Sequence, residues 1–320
     1  MPSLCSWTDF GPTSPDKISN LPSANITAAI AGMAPRADSS SEARSRTLGK
    51  RFLSAAILLP VALGTAWLGG LYWAVLVLLF GMAMAWEWSV ICTPGDQGSL
   101  GRLLGVGPVG LASILAVGIA TVAAAGEHYV PSLLLLGLGA AGTAAIGGSL
   151  RGGRGGWHGL GVLYVGFPCI AIIWIRAQHD HGLATLLWLL ALVMAVDTGA
   201  FAAGRLIGGP RLAPRISPRK TWAGLGGGVA AAMLIGWIVA FWLELPRWLP
   251  LILASGALAL VEQAGDLAES TFKRRFGVKD SSQLIPGHGG ILDRVDGLLA
   301  VSLAVGLAEQ YFGGILVWTR

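Results

Sequence analysis

Nine stretches of the chain are almost wholly apolar, roughly residues 52–69, 71–91, 103–125, 130–148, 159–176, 183–204, 221–243, 248–267 and 297–318. Each is long enough, as a helix, to cross a hydrocarbon layer of about 30 Å. Helices must carry them, because strands with open edges leave backbone N–H and C=O groups unpaired in lipid, and the alternation of a barrel is absent. The pattern predicts an all-α polytopic membrane helix bundle with about nine transmembrane helices. Its last span is the weakest, since Glu309 and Gln310 interrupt it. Many of the 47 glycines recur at small-x-x-x-small spacing, which lets helices approach closely. Trp67, Trp86, Trp88, Trp242, Trp248 and Trp318 fall near span ends, where an interfacial belt places them.

Composition agrees with the pattern: 12% of residues are charged and 54% hydrophobic, which excludes a water-soluble domain of this length. No nucleic-acid partner is expected. Residues 1–50 differ, being rich in Ser, Pro, Ala and Thr with mixed charge; they read as a disordered polar tail ahead of one transmembrane domain, 51–320. Within the tail, Ile26 to Ala34 is too short and too poorly preceded by positive charge for a signal-peptide core. Cys5, Cys92 and Cys169 have no paired-ligand spacing and give neither a disulfide framework nor a zinc site. Of the 22 Lys and Arg residues, 18 fall in the tail and the loops on one side of the nine spans. Positive residues stay cytoplasmic, so the N-terminus is expected inside and the C-terminus outside.

Against this apolar background the polar residues stand out. Asp197 lies in the sixth span, Glu262 and Asp266 in the eighth, and Asp293 and Asp296 open the ninth. An acid at such depth costs several kcal/mol if it faces lipid unpaired, so each is a functional candidate. All five fall in cytoplasmic halves of their spans and can share one site. Glu262, Asp266 and Glu269 stand at i, i+4 and i+7 on one helix stripe, with Asp293 and Asp296 at i and i+3 on another. Clustered carboxylates repel unless a cation sits among them, and a hard divalent ion such as Mg²⁺ resolves this. Internal ion pairs with Arg294 or Arg205 are the simpler alternative.

Cations and glycines accompany the acids. Lys273, Arg274, Arg275 and Lys279 precede a GHGG turn at 287–290, as parts for holding polyphosphate. A second basic segment, 211–224, carries Ser217, Arg219, Lys220 and Thr221 before the seventh span, with Pro218 and Gly224 bracketing a turn. His288 is open to metal, phosphate or turn roles; its flanking glycines favour phosphate. Glu87, between Trp86 and Trp88, reads either as a buried functional acid or as an interfacial one.

Ser270, Phe272, Lys273, Arg274, Lys279, Asp280, Ser282, Pro286, His288, Gly289, Gly290, Asp293, Arg294 and Asp296 stand in the order and spacing of a known signature. In these positions the chain resembles the phosphatidate cytidylyltransferases, or CDP-diacylglycerol synthases. The segments at 197–208 and 217–224 are similar to further motifs of that family, and the resemblance covers roughly 50–320. It departs at Ala223, where family members usually carry an acid. The resemblance implies CTP and phosphatidic acid as substrates, CDP-diacylglycerol and pyrophosphate as products, Mg²⁺ with room for a second metal ion, and a homodimer in the bacterial inner membrane. Its site would have Asp266 and Asp293 as metal ligands and Asp296 as a third ligand or outer partner. Lys273, Arg274, Lys279 and His288 would hold the triphosphate, and Ser217, Arg219 and Lys220 the lipid phosphate or the nucleotide, an assignment that also works exchanged. Asp197, Thr221 and Ser270 complete the expected substrate contacts.

Two enzyme alternatives and one transporter share parts of this pattern. A CTP-dependent polyprenol kinase also joins nucleotide and membrane substrate. The opening D-x-x-D-G-x-x-A of the CDP-alcohol phosphotransferases is reproduced at 293–300, but Val301 stands where that motif continues with Arg. A cation-coupled transporter would place acids nearer the bilayer midplane.

Overall fold

Long apolar runs with few helix-breaking residues coil into helices that satisfy their own backbones. The computed structural model describes residues 56–93, 107–151, 155–178, 181–285 and 289–312. Helices run from Ala56–Leu68 (α1), Gly70–Cys92 (α2), Pro108–Ala125 (α3), Tyr129–Arg151 (α4), Gly155–Ala177 (α5) and Gly182–Leu206 (α6). They continue with Trp222–Trp242 (α7), Trp248–Arg275 (α8) and Leu292–Phe312 (α9). Seven of these, α2 to α8, are long and apolar enough to cross a membrane. The expectation of about nine spans is therefore met for seven among the described residues. α1 has only 13 residues there, and α9 carries Asp293, Arg294, Asp296 and Glu309 in its length.

α2 to α5 pack on one another around one apolar core, which includes Trp73, Val117, Leu136 and Val165. α6, α7 and α8 pack around a second, with Leu189, Leu192, Leu251 and Val301. α9 lies between, touching α5 and α8 most and α2 and α6 at its flanks. The expected close helix contacts are present: a Cβ at Gly199 of α6 would lie 2.6 Å from the Ala231 Cβ of α7, so only glycine allows that spacing. Arg176, ending α5, donates to the last carbonyls of α1, at Ala66 (2.6 Å) and Trp67 (3.1 Å). These are groups a helix C-terminus otherwise leaves unpaired.

Three features differ from expectation. The 211–224 segment is not a simple turn: Arg211–Ala213 (β1) and Ser217–Thr221 (β2) form a short antiparallel hairpin, pairing Arg211 with Thr221 and Ala213 with Ser217. Trp88 is not interfacial but 3% exposed, stacked on Phe272 with ring centroids 3.7 Å apart, while Trp67 and Trp242 are exposed as a belt requires. The ninth helix starts at Leu292, five residues before the expected span, because side-chain acceptors described below take up its free N–H groups. The tail, 1–50, and Trp318 lie outside the described residues.

Candidate active site at the α8–α9 crossing

Two glycines bring the acids together. A Cβ on Gly265 of α8 would lie 2.5 Å from the Ala300 Cβ, and one on Gly297 of α9 would lie 2.8 Å from Glu262. Each glycine lets the opposite helix in closely, so Asp266 and Asp296, next to them in sequence, become neighbours. The largest charge acting on the half-buried Asp296 is that of Asp266. Asp197 of α6 joins the group, since its charge acts on both Glu262 and Asp296.

Lysines reach in from two directions. Lys220, in β2, puts its Nζ 2.5 Å from Asp266 Oδ2 and 3.1 Å from Gln263 Oε1. Thr221, the next residue, caps α7 by accepting the Gly224 N–H at 3.0 Å, which fixes the end of the hairpin. Lys273, one turn past Glu269 on α8, sits 2.6 Å from Glu269 Oε2 and 2.7 Å from Asp293 Oδ1. Phe272 anchors this turn by stacking on Trp88, and Phe276 packs edge-on against Trp157. Ser270 donates to Asp266 Oδ1 at 3.2 Å.

Asp293 is saturated. Besides Lys273 it accepts the N–H of Ser281 (2.9 and 3.1 Å to its two oxygens) and of Gly290 (3.1 Å), closing the loop onto the start of α9. Glu87, fully buried on α2, does the same from the other side. It accepts the Ser281 hydroxyl (3.3 Å), the Ser282 hydroxyl (2.5 Å) and the N–H groups of Ile291 (2.9 Å) and Leu292 (2.7 Å). A Cβ at Gly290 would collide with Ser281 and Glu87, so this residue must be glycine. Ile285 and Gly289 exchange both backbone hydrogen bonds (2.9 and 3.2 Å), and His288 lies outside the described residues.

Arg274 is exposed; its Nη1 donates to the Val278 carbonyl at 3.2 Å, and its Nε makes a long 3.5 Å contact with the Ile216 carbonyl of the hairpin. Arg219 and Lys279 are exposed, and Ser217 is half-buried in β2. Asp293 pairs with Lys273. Sequence reasoning left Glu87 open between a buried and an interfacial role and missed Tyr164, whose buried hydroxyl has no hydrogen-bond partner among the described residues and lies near Glu269, Asp296 and Asp266. One tyrosine in a span gives no signal beforehand.

Six carboxylates thus gather around Lys220, Lys273 and Arg294, a surplus of acid that protons or a cation must meet. Among the described residues no three His, Cys, Asp or Glu side chains converge as a full metal cage. Mg²⁺ does not need one, since it is ordinarily held by one or two carboxylates together with water and substrate phosphates. Asp266 and Asp296 fit that requirement in donor chemistry.

Comparison with known proteins gives the family. The Cytidylyltransferase family profile matches residues 49–312. A phosphatidate cytidylyltransferase of Brucella suis biovar 1 is 37% identical over 266 residues, which is 83% of this chain and 94% of that protein. The chain belongs to the cytidylyltransferase family. Other relatives match a shorter part. The phosphatidate cytidylyltransferase of Haemophilus influenzae is 47% identical over 129 residues, 38% of this chain and 45% of that protein. That of Staphylococcus haemolyticus is 42% identical over 144 residues, 44% and 54%.

Proposed function

We propose that this chain is a phosphatidate cytidylyltransferase, converting CTP and phosphatidic acid into CDP-diacylglycerol and pyrophosphate. The observation that carries the reading is the pairing of Asp266 with Asp296 across the α8–α9 crossing, with Lys220 and Lys273 beside them. In an integral membrane protein whose basic loops lie inside, as the bias of Lys and Arg supports, the chemistry takes place at the cytoplasmic face of the inner membrane, where lipid headgroup and soluble nucleotide meet.

The lipid phosphate monoester has a second pKa of about 6 and is already a nucleophile at neutral pH, so no general base is required. One of its oxygens attacks the α-phosphorus of CTP; a new P–O bond forms as the bond to the bridging oxygen breaks, and pyrophosphate carries that electron pair away. The obstacle is repulsion between two anions, and the protein's task is to neutralise and align them. Lys273, held between Glu269 and Asp293, has N–H capacity left for a phosphate oxygen, and Arg274, Lys279 and His288 are assigned to the outgoing pyrophosphate. Lys220, with Ser217 and Arg219 in the same hairpin, takes the second phosphate group, and Thr221 and Ser270 hold Lys220 and Asp266 in register. Asp197 sets the charge on the α6 side.

Asp266 and Asp296 are the residues that would hold Mg²⁺, which when bound screens the triphosphate and eases departure of pyrophosphate. Asp293 joins that ion only by giving up donors it already has. A second metal ion and a homodimer belong to the same reading.

Labelled nucleotide tests it. With purified protein, phosphatidic acid and Mg²⁺, label from the α-phosphate of CTP enters the lipid and label from the γ-phosphate leaves as pyrophosphate. Entry of γ-label into lipid, or no CTP-dependent lipid product, rejects the reading.

A further inference from the structure

The proposed chemistry gives Glu262 no task, although a carboxylate buried on α8 is costly to keep. Its side chain is almost fully covered. On one side it is seated against the backbone of α9, where a Cβ on Gly297 would lie 2.8 Å from its Cγ and from its Oε1. On the other side its Oε2 accepts the side-chain amide of Gln263, with Nε2 donating at 2.7 Å. Consecutive helix positions point about 100° apart, so these two side chains meet only because their ends turn toward each other. Gln263, also buried, then ends on the hairpin: its Oε1 accepts from the Lys220 Nζ at 3.1 Å.

Three groups in a row leave the amide one orientation. A carboxylate only accepts and an ammonium only donates, so the amide between them must present its NH₂ to Glu262 and its oxygen to Lys220. Reversed, it would set donor against donor and acceptor against acceptor. Lys220 also pairs with Asp266 at 2.5 Å. Asp266 is one of the residues that would hold Mg²⁺, and a carboxylate shared with a dication holds an ammonium less tightly. The Gln263 oxygen is the contact that such sharing leaves intact. Lys220 comes from a two-stranded hairpin and not from a spanning helix, so its charged end depends on a fixed partner on α8. Resting on the function proposed above, we propose that Glu262 is a positioning residue: it locks the Gln263 amide so that the amide oxygen keeps Lys220 aimed at a substrate phosphate while Asp266 serves the metal. Glu262 itself touches no substrate. Removing its charge frees the amide to turn, and Lys220 with it.

The test is an amine footprint of the full chain in nanodiscs, with acetic anhydride as reagent and mass spectrometry as readout, in Mg²⁺ and without CTP or phosphatidic acid. Glu262→Gln, which keeps the shape and removes the charge, raises the acetylation rate of Lys220 by about fivefold and leaves that of Lys279 unchanged. Gln263→Met, which removes the acceptor, does the same. In the CTP and phosphatidic acid assay Glu262→Gln lowers kcat/KM by about tenfold without lowering the thermal midpoint, and lowers it no further when Lys220→Met is already present. The proposal is overturned if folded Glu262→Gln leaves the Lys220 acetylation rate at the wild-type value. It is equally overturned if Glu262→Gln and Lys220→Met lower kcat/KM additively, since Glu262 then acts on the site without Lys220. Should Glu262→Gln fail to fold, Gln263→Met decides on the same two readouts. Absence of CTP turnover in the wild type counts against the proposed function instead, because the footprint reads the relay without substrate.

Discussion

Two acidic regions meet at the loop end of α9, and the protein treats them in opposite ways. On the α2 side, Glu87 and Asp293 each accept several donors, among them four backbone N–H groups from the loop and the helix start. On the α8 side, Glu262 accepts from Gln263, Asp266 from Lys220 and Ser270, and Asp296 from the adjacent Gly297 N–H. The first arrangement satisfies carboxylates with the chain's own groups and so builds structure. The second leaves acid in surplus, which is tolerable only if something else is to be bound there.

Substitutions sharpen that difference. The largest effect falls on Asp266→Asn, which should lower turnover by about 10³-fold while thermal stability in detergent stays near wild type. Asp293→Asn should cost turnover and stability together, because a single uncharged acceptor oxygen is left for Lys273 and two loop N–H groups and an NH₂ donor faces the rest; equal behaviour of the two variants would erase the distinction between the two acidic regions. Next comes Glu87→Ala, which leaves Ile291 and Leu292 N–H groups buried and unpaired and should destabilise by about 3 kcal/mol or more. A thermal midpoint matching wild type would show that Glu87 does not hold the loop. Gly297→Ala forces its methyl against Glu262 and should cost about 1–3 kcal/mol and part of the activity, through separation of α8 from α9. Smallest is Lys279→Ala: the side chain is exposed, and KM for CTP should rise by no more than about threefold at physiological salt, with stability unchanged.

The same contrast explains what could be read from the chain beforehand. Seven spans follow from length and apolarity alone, because a helix in lipid has no alternative backbone solution. The acids of α8 and α9 were legible because charge is costly there, and their i, i+4 and i, i+3 spacing put each pair on one face. Glu87 was not, since it sits at a span end, and its partners Ser281 and Ser282 are 194 and 195 residues away. Nothing local distinguishes such an acid from an interfacial one. The β1–β2 hairpin escaped for a related reason: SPRKT carries no alternation of apolar and polar residues, and its register is held by the turn and by Lys220 reaching Asp266. Gly265 and Gly297 were visible only as two among 47 glycines, and their meaning depends on which helices cross.

The central claim is that the acids in surplus on the α8 side, not those satisfied by loop N–H groups on the α2 side, receive the divalent cation. Mn²⁺ binding in the presence of CTP, followed by electron paramagnetic resonance on the purified protein, measures this directly. The account predicts saturable binding that weakens by about tenfold or more in both Asp266→Asn and Asp296→Asn and persists in Lys279→Ala. Wild-type affinity in both asparagine variants would contradict it.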